Sequence, residues 1–94
     1  MSIITIELTA EMQQYADDIK RFVDLMVHKL DKNRHKGRWE NIDANSAFNY
    51  LCDETVELQT ALWRGDPDSI YFECADVANF AMIIASIMRE RGND

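Results

Sequence analysis

The tripeptide Gly65-Asp66-Pro67 divides the second half of the chain into two helical segments. Glycine ends a helix because it adopts the left-handed conformation at low cost. Aspartate is a preferred N-cap, and proline fits the first helical position. We therefore predict one helix over 44–64, N-capped by Asp43 or Asn45, and a second over 67–91. A turn this short makes the two helices antiparallel.

The first third of the chain has apolar residues at helical spacing, which predicts a helix over 9–30. Residues 1–8 alternate weakly between apolar and polar and predict a short extended arm. Residues 31–43 break the helical pattern and are rich in basic side chains, so we predict a basic loop. The apolar positions of the first helix are Met12, Tyr15, Ala16, Ile19, Phe22, Val23, Met26 and Leu30.

With 94 residues, 47% hydrophobic, 3 glycines and 1 proline, the chain is predicted to be a single all-α domain over residues 1–94. We expect an antiparallel bundle of three main helices. Residues 77–87 are apolar almost all round, and such a helix must be covered on every side. Three helices cannot do this, so we expect a homodimer or homotetramer.

The formal charge of -7 argues against binding duplex nucleic acid, which requires a broad basic surface. No uncharged apolar run reaches ~18 residues, so we expect no membrane span. No signal peptide is visible at the N-terminus, and Cys52 and Cys74 are too few for a disulfide framework. We expect a cytoplasmic protein with two buried, reduced thiols.

Four carboxylates form two pairs at i, i+3 spacing, Glu54/Glu57 and Glu73/Asp76, one pair on each predicted helix. Helical projection places at least three of them where core residues are expected. An unpaired buried carboxylate is costly, so the acids need a positive partner. Oxygen ligands suit Mg²⁺, with Mn²⁺ as a possible substitute. The alternative partner is a lysine or arginine from the first helix or from a second subunit.

The string 53–58, then 15 residues between Glu57 and Glu73, then the string 73–77, resembles the MazG-like, all-α nucleoside triphosphate pyrophosphatases. That family carries Glu-x-x-Glu, a gap of a dozen or more residues, and Glu-x-x-Asp on two antiparallel helices. The resemblance covers about residues 36–90 and includes Trp39 ahead of the motif.

The resemblance implies Mg²⁺-dependent hydrolysis of (deoxy)nucleoside triphosphates to a monophosphate and pyrophosphate. It implies that Glu54, Glu57, Glu73 and Asp76 are metal ligands, and that Glu54 or Glu57 activates the attacking water. The alternative is a non-catalytic helical protein that binds metal or nucleotide and serves as an oligomerisation module or adaptor.

Four further residues are candidate substrate contacts. Lys36 and Arg38, in the basic loop with Lys32, can hold phosphates through charge-assisted hydrogen bonds, or they can simply be solvated. Trp39 can stack on a base or close the open end of the hairpin by packing. Asn79, one turn after Asp76, is either a substrate contact or a polar residue at an oligomer interface.

Overall fold

The computed structural model describes residues 2–33 and 41–92, and every regular element within them is helical. A short 3₁₀ helix, Ala10–Tyr15, leads into α1, Ala16–Lys32. Helix α2 spans Ala44–Arg64 and α3 spans Pro67–Gly92. The all-α prediction with three main helices is therefore confirmed.

The bounds of the first helix differ from the prediction at both ends. At its start the backbone forms a tighter turn, with the Met12 amide bonded to the Thr9 carbonyl at 3.0 Å, and Thr9 gives no side-chain cap. At its end, α1 continues through Lys32, which the sequence placed in the basic loop. Asn33 closes it, because both its backbone amide and its side-chain amide donate to the Lys29 carbonyl, at 3.2 and 3.1 Å.

The hairpin of α2 and α3 follows the predicted bounds closely because local capping sets them. The Asp43 carboxylate accepts a 2.7 Å hydrogen bond from the Ser46 amide, which decides between the two predicted N-caps. Gly65 has φ 68° and ψ 29°, the left-handed conformation that ends α2. Ser69 donates a 2.9 Å hydrogen bond to the Asp66 carboxylate at the start of α3.

Side-chain contacts define how the three helices run. The rings of Tyr50 and Phe80, each 15 positions from Gly65, stack with centroids 5.6 Å apart, so α2 and α3 stay paired along this length. On another side of α3, the Asn79 amide donates to the Met26 carbonyl at 3.1 Å, while the later residue Lys29 meets the earlier residue Asp76. Helix α1 is therefore antiparallel to α3, and α3 lies between α1 and α2.

The core of a single chain is small and made largely of alanine. The buried hydrophobic residues are Leu25, Ala47, Ala61, Ala75 and Ile83, and no large side chain among the described residues is fully buried. Cys52 is exposed and Cys74 is half-buried, so the prediction of two buried thiols is wrong for Cys52. Large apolar side chains remain exposed on both hairpin helices, among them Phe48, Tyr50, Val56, Leu62, Trp63, Tyr71, Phe72, Met82 and Met88.

One helix in the described part of the chain, over Pro67–Glu90, is long and apolar enough to cross a membrane by length and composition. The core helix of a soluble protein meets the same criteria. The helix also carries Glu73 and Asp76, and charged side chains are costly inside a bilayer.

We predict that Gly65→Ala destabilises the fold by about 1 kcal/mol, because a β-carbon is disfavoured at positive φ. No atom lies within 4 Å of a β-carbon built there, so steric conflict adds nothing. Gly65→Asn should lose less, since asparagine tolerates this conformation. Urea unfolding at a fixed chain concentration measures the free energy of unfolding of both variants. An equal decrease for Gly65→Ala and Gly65→Asn would contradict the conformational explanation.

Candidate metal centre

Three carboxylates from α2 and α3 converge between the two helices. Glu54, Glu57 and Glu73 each place one carboxylate oxygen within 4.8 Å of the others. Glu54 and Glu57 share a face of α2 because they are three residues apart. Glu57 and Glu73 are each eight positions from Gly65, so the antiparallel hairpin brings them to the same height. We call this set the three-carboxylate cluster.

Two oxygens of the three-carboxylate cluster lack a partner. Oε2 of Glu54 and Oε2 of Glu73 are buried and make no hydrogen bond within the described residues. Glu57, in contrast, is exposed. A buried acceptor without a donor is unfavourable, and a divalent cation would satisfy both oxygens at once. The donor set, oxygen only and negatively charged, therefore fits a hard cation such as Mg²⁺.

Burial and mutual repulsion make the cluster hold protons when no cation is bound. Burial first, and then the neighbouring Glu57, Glu73 and Asp76, together raise the pKa of Glu54 to about 8. The pKa of Glu73 is also raised, first by burial and then by the charges of Glu57 and Asp76, although the nearby carboxyl group of Glu54 acts in the opposite direction. A cation that bound this cluster near neutral pH would therefore displace a proton from it.

The fourth predicted ligand, Asp76, has a different partner. Its Oδ2 lies 3.4 Å from Nζ of Lys29 on α1, and the two side chains are only 16% and 18% exposed. The Lys29 ammonium also lies 5.7 Å from the centre of the Phe72 ring. The structure thus groups three of the four acids, and the alternative of a first-helix lysine applies to Asp76.

Asn79 lies at the contact between α1 and α3 and is 5% exposed. Its Nδ2 donates to the Met26 carbonyl, and its Oδ1 is buried without a hydrogen bond among the described residues. Within one chain Asn79 therefore joins two helices.

The other predicted substrate contacts, Lys36, Arg38 and Trp39, lie outside the described residues.

A groove with a volume of about 250 Å³ opens beside the three-carboxylate cluster. Its lining includes Glu57 and Glu73 at one end and Thr60, Arg64 and Ser69 along its length. The sequence reasoning did not identify Arg64 as a ligand-binding residue. The signal was present, because positions 57, 60 and 64 share one face of α2.

Lys29 was also missed as part of the acidic region. It follows Phe22 by seven residues, so it lies on the apolar face of α1 rather than among the solvated charges. A lysine on such a face needs a buried partner, and Asp76 provides one.

No family model, no curated protein and no solved structure matches this chain.

We predict that the metal-free protein loses stability as pH rises from about 4.5 to about 8. The pKa of Glu54 is about 8 in the folded chain against an ordinary 4.5, so the folded state retains a proton that the unfolded state has released. The contribution of Glu54 to the free energy of unfolding is fully present below pH 4.5 and is lost as the pH rises through about 8. Glu54→Gln, which imitates the protonated acid, should equal wild type near pH 5 and exceed it near pH 8. Urea unfolding in EDTA measures this.

Saturating Mg²⁺ at pH 8 should reverse that order, because the wild type gains binding energy that the glutamine variant loses. Asp53→Asn is the matched control, since Asp53 is the exposed neighbour of Glu54 on the same helix and should behave as wild type throughout. A wild-type unfolding curve that Mg²⁺ leaves unchanged would contradict the metal centre.

Proposed function

We propose that this protein is a MazG-like pyrophosphohydrolase, which uses Mg²⁺ to hydrolyse (deoxy)nucleoside triphosphates to a monophosphate and pyrophosphate. The observation that carries the proposal is the three-carboxylate cluster, with its buried and unpartnered oxygens, on an antiparallel hairpin. Carboxylates gathered in this way repel one another, and Mg²⁺ with a phosphate-bearing substrate is the partner that oxygen ligands favour.

The division of roles within the cluster follows from exposure. Glu54 and Glu73 are half-buried, so they are suited to hold the ion, while exposed Glu57 can also reach solvent and orient a water molecule. Bound Mg²⁺ would lower the pKa of that water and neutralise charge on the triphosphate. Glu57, with Glu54 beside it, is our candidate to accept the proton of the attacking water.

The groove beside the cluster gives the phosphates a place to bind. Arg64 is the basic side chain of its lining, and no ion pair involves it within the described part of the chain. Its guanidinium can hold phosphate oxygens in a bidentate manner, with the hydroxyls of Thr60 and Ser69 nearby. At about 250 Å³ the groove is below the usual range of roughly 300–1,000 Å³ for ligand sites, so it suits part of a nucleotide.

The remaining substrate contacts must then come from elsewhere. Lys36, Arg38 and Trp39 are our candidates for the rest of the phosphates and the base, and Asn79 is a candidate through its unpartnered oxygen.

We also propose that the protein is a homodimer or homotetramer in the cytoplasm. The support is the small single-chain core together with exposed apolar side chains on both hairpin helices, including Trp63 at 92% exposure. A second copy of the chain would cover this surface by the same helix packing that forms the core. Lipid is the less suitable cover, because the acids of α3 would then face or approach it.

The proposed reaction is tested by a product assay with each common NTP and dNTP, with Mg²⁺ and with EDTA, scored separately for pyrophosphate and orthophosphate. We expect Mg²⁺-dependent pyrophosphate. Glu54→Gln should reduce the rate by about 100-fold or more, since even the loss of an outer partner of a metal ligand costs roughly 10–100-fold. Asp53→Asn should retain activity.

If orthophosphate is the sole product, the proposed reaction is wrong and the protein is a different kind of phosphohydrolase. If no nucleotide is turned over while Mg²⁺ still stabilises the chain, a binding or adaptor role takes its place.

The oligomer is tested by sedimentation equilibrium. We expect a mass at least twice that of the 10.9 kDa chain at micromolar concentration. A mass equal to one chain at all concentrations would contradict the proposed assembly and leave the metal centre unaffected.

A further inference from the structure

One face of α3 points away from the two sides of this helix that meet α1 and α2. Asp76 and Asn79 face α1, while Glu73 and Phe80 face α2. At about 100° per residue, the remaining sector of α3 carries side chains at alternating spacings of three and four. They are Tyr71, Cys74, Ala78, Ala81, Ala85 and Met88. We call this set the α3 seam.

The α3 seam is uncharged and open to solvent in a single chain. Tyr71 at one end is 46% exposed, and Met88 at the other end is 51% exposed. Between them, Ala81 and Ala85 are exposed and Cys74 is half-buried. Apolar residues that alternate at three and four positions form the contact line of paired α-helices, in which the side chains of one helix fit between those of the other. The seam therefore has the pattern of a surface that packs against another helix.

By size, the side chains of the α3 seam read the same in both directions. The large side chains, Tyr71 and Met88, occupy the two ends, and the four positions between them hold cysteine or alanine. When two copies of α3 pack antiparallel, position 71 meets 88 of the second copy, 74 meets 85, and 78 meets 81. The small residues then let the backbones approach at the centre, and a thioether contacts an aromatic ring at each end.

Two charged side chains beside the α3 seam independently favour the antiparallel arrangement. Asp68 and Arg89 are exposed, and neither takes part in an ion pair within the described residues. They are three heptads apart, so they occupy equivalent positions next to the seam. In an antiparallel pair each Asp68 meets Arg89 of the other copy, whereas a parallel pair brings like charges together. The charges therefore match a second copy of this chain in one orientation.

We infer that two copies of the chain pack antiparallel along the α3 seam, with Asp68 of each copy paired with Arg89 of the other. A surface that is complementary to itself joins two identical chains about a twofold axis and closes. The inference rests on the proposed homo-oligomer and specifies its surface, orientation and register.

Disulfide formation tests the register. The test chain carries Cys52→Ser, which removes the other thiol, and Ala85→Cys, which places a thiol opposite Cys74 of the second copy. With copper phenanthroline as the oxidant, we expect most of this chain to become a covalent dimer on a non-reducing gel. Positions 74 and 85 are about 16 Å apart along one helix, so a disulfide within one chain cannot form.

Two chains with a single thiol are the matched controls. Cys52→Ser alone keeps only Cys74, and the triple variant Cys52→Ser, Cys74→Ser and Ala85→Cys keeps only the introduced thiol. In the antiparallel register, like positions lie about 16 Å apart along the interface, so neither control should form a covalent dimer. Covalent dimer from a control chain as rapidly as from the test chain would show a different register and overturn the inference.

Charge reversal tests the orientation in solution by sedimentation equilibrium at low salt. Asp68→Arg should raise the Kd of self-association about fivefold, because two like-charge pairs replace two opposite-charge pairs. Arg89→Asp should act in the same direction, and the double reversal should restore the Kd to within about twofold of wild type. Both side chains are exposed in a single chain, so these changes leave the fold intact. Additive weakening in the double reversal would contradict the pairing.

A charge at the centre of the α3 seam tests the surface itself. Ala81→Glu should raise the Kd of self-association by about tenfold or more, because each copy would bury a carboxylate in an apolar contact. Gln59→Glu is the matched control, since it adds the same charge at an exposed position of α2 and should leave the Kd unchanged.

The outcomes separate this inference from the proposed oligomer. If the wild-type chain is a monomer at all concentrations, the oligomer fails and the inference fails with it. If wild type self-associates but the disulfide between positions 74 and 85 does not form, or Ala81→Glu leaves the Kd unchanged, the α3 seam is refuted and the proposed oligomer stands on another surface.

Discussion

The repulsion among three carboxylates held between two packed helices is the constraint on which the rest of this structure depends. The caps at Asp43 and Gly65 fix where α2 begins and ends, and the short turn fixes its register with α3. That register brings Glu57 and Glu73 to the same height and places one oxygen of each of the three carboxylates within 4.8 Å of the others. In the metal-free chain this repulsion is reduced because the carboxylates retain protons. A bound cation would reduce it instead by contacting one oxygen of each carboxylate.

Small residues make this close approach possible. The buried positions of the hairpin include Ala47 and Ala61 on α2 and Ala75 on α3, and the distance between packed helices is set by the side chains at their contact. Alanines at these positions let the backbones come near enough for short carboxylate side chains to meet. The same choice leaves little apolar volume inside one chain and places larger side chains outside, so the three-carboxylate cluster and the exposed apolar surface have a common origin.

Helix α3 packs against both α1 and α2, and for this reason its two acids have different surroundings. Glu73 faces α2 and joins the three-carboxylate cluster, while Asp76, less than one turn later, faces Lys29 of α1. Asn79 also contacts α1, because its side-chain amide donates a hydrogen bond to the Met26 carbonyl. A site that looks symmetric in the sequence, with two pairs at equal spacing, is therefore asymmetric in the fold, with three acids available to a cation and one already compensated.

The sequence by itself determined the helices and the hairpin, because caps, glycine and proline act on neighbouring residues and leave a local signature. The burial of Glu54, Glu73 and Asp76 could also be predicted, since helical periodicity places them on apolar faces. Spacing places Lys29 on the apolar face of α1 and Arg64 on the face of α2 that carries Glu57. The pairing of Lys29 with Asp76, the groove beside Arg64 and the exposure of Cys52 could not be predicted, because they depend on how α1 and α2 are rotated around α3. Periodicity gives the face of each helix, but only the tertiary packing decides which faces meet, and so which acid is left for a cation and which is held by a lysine.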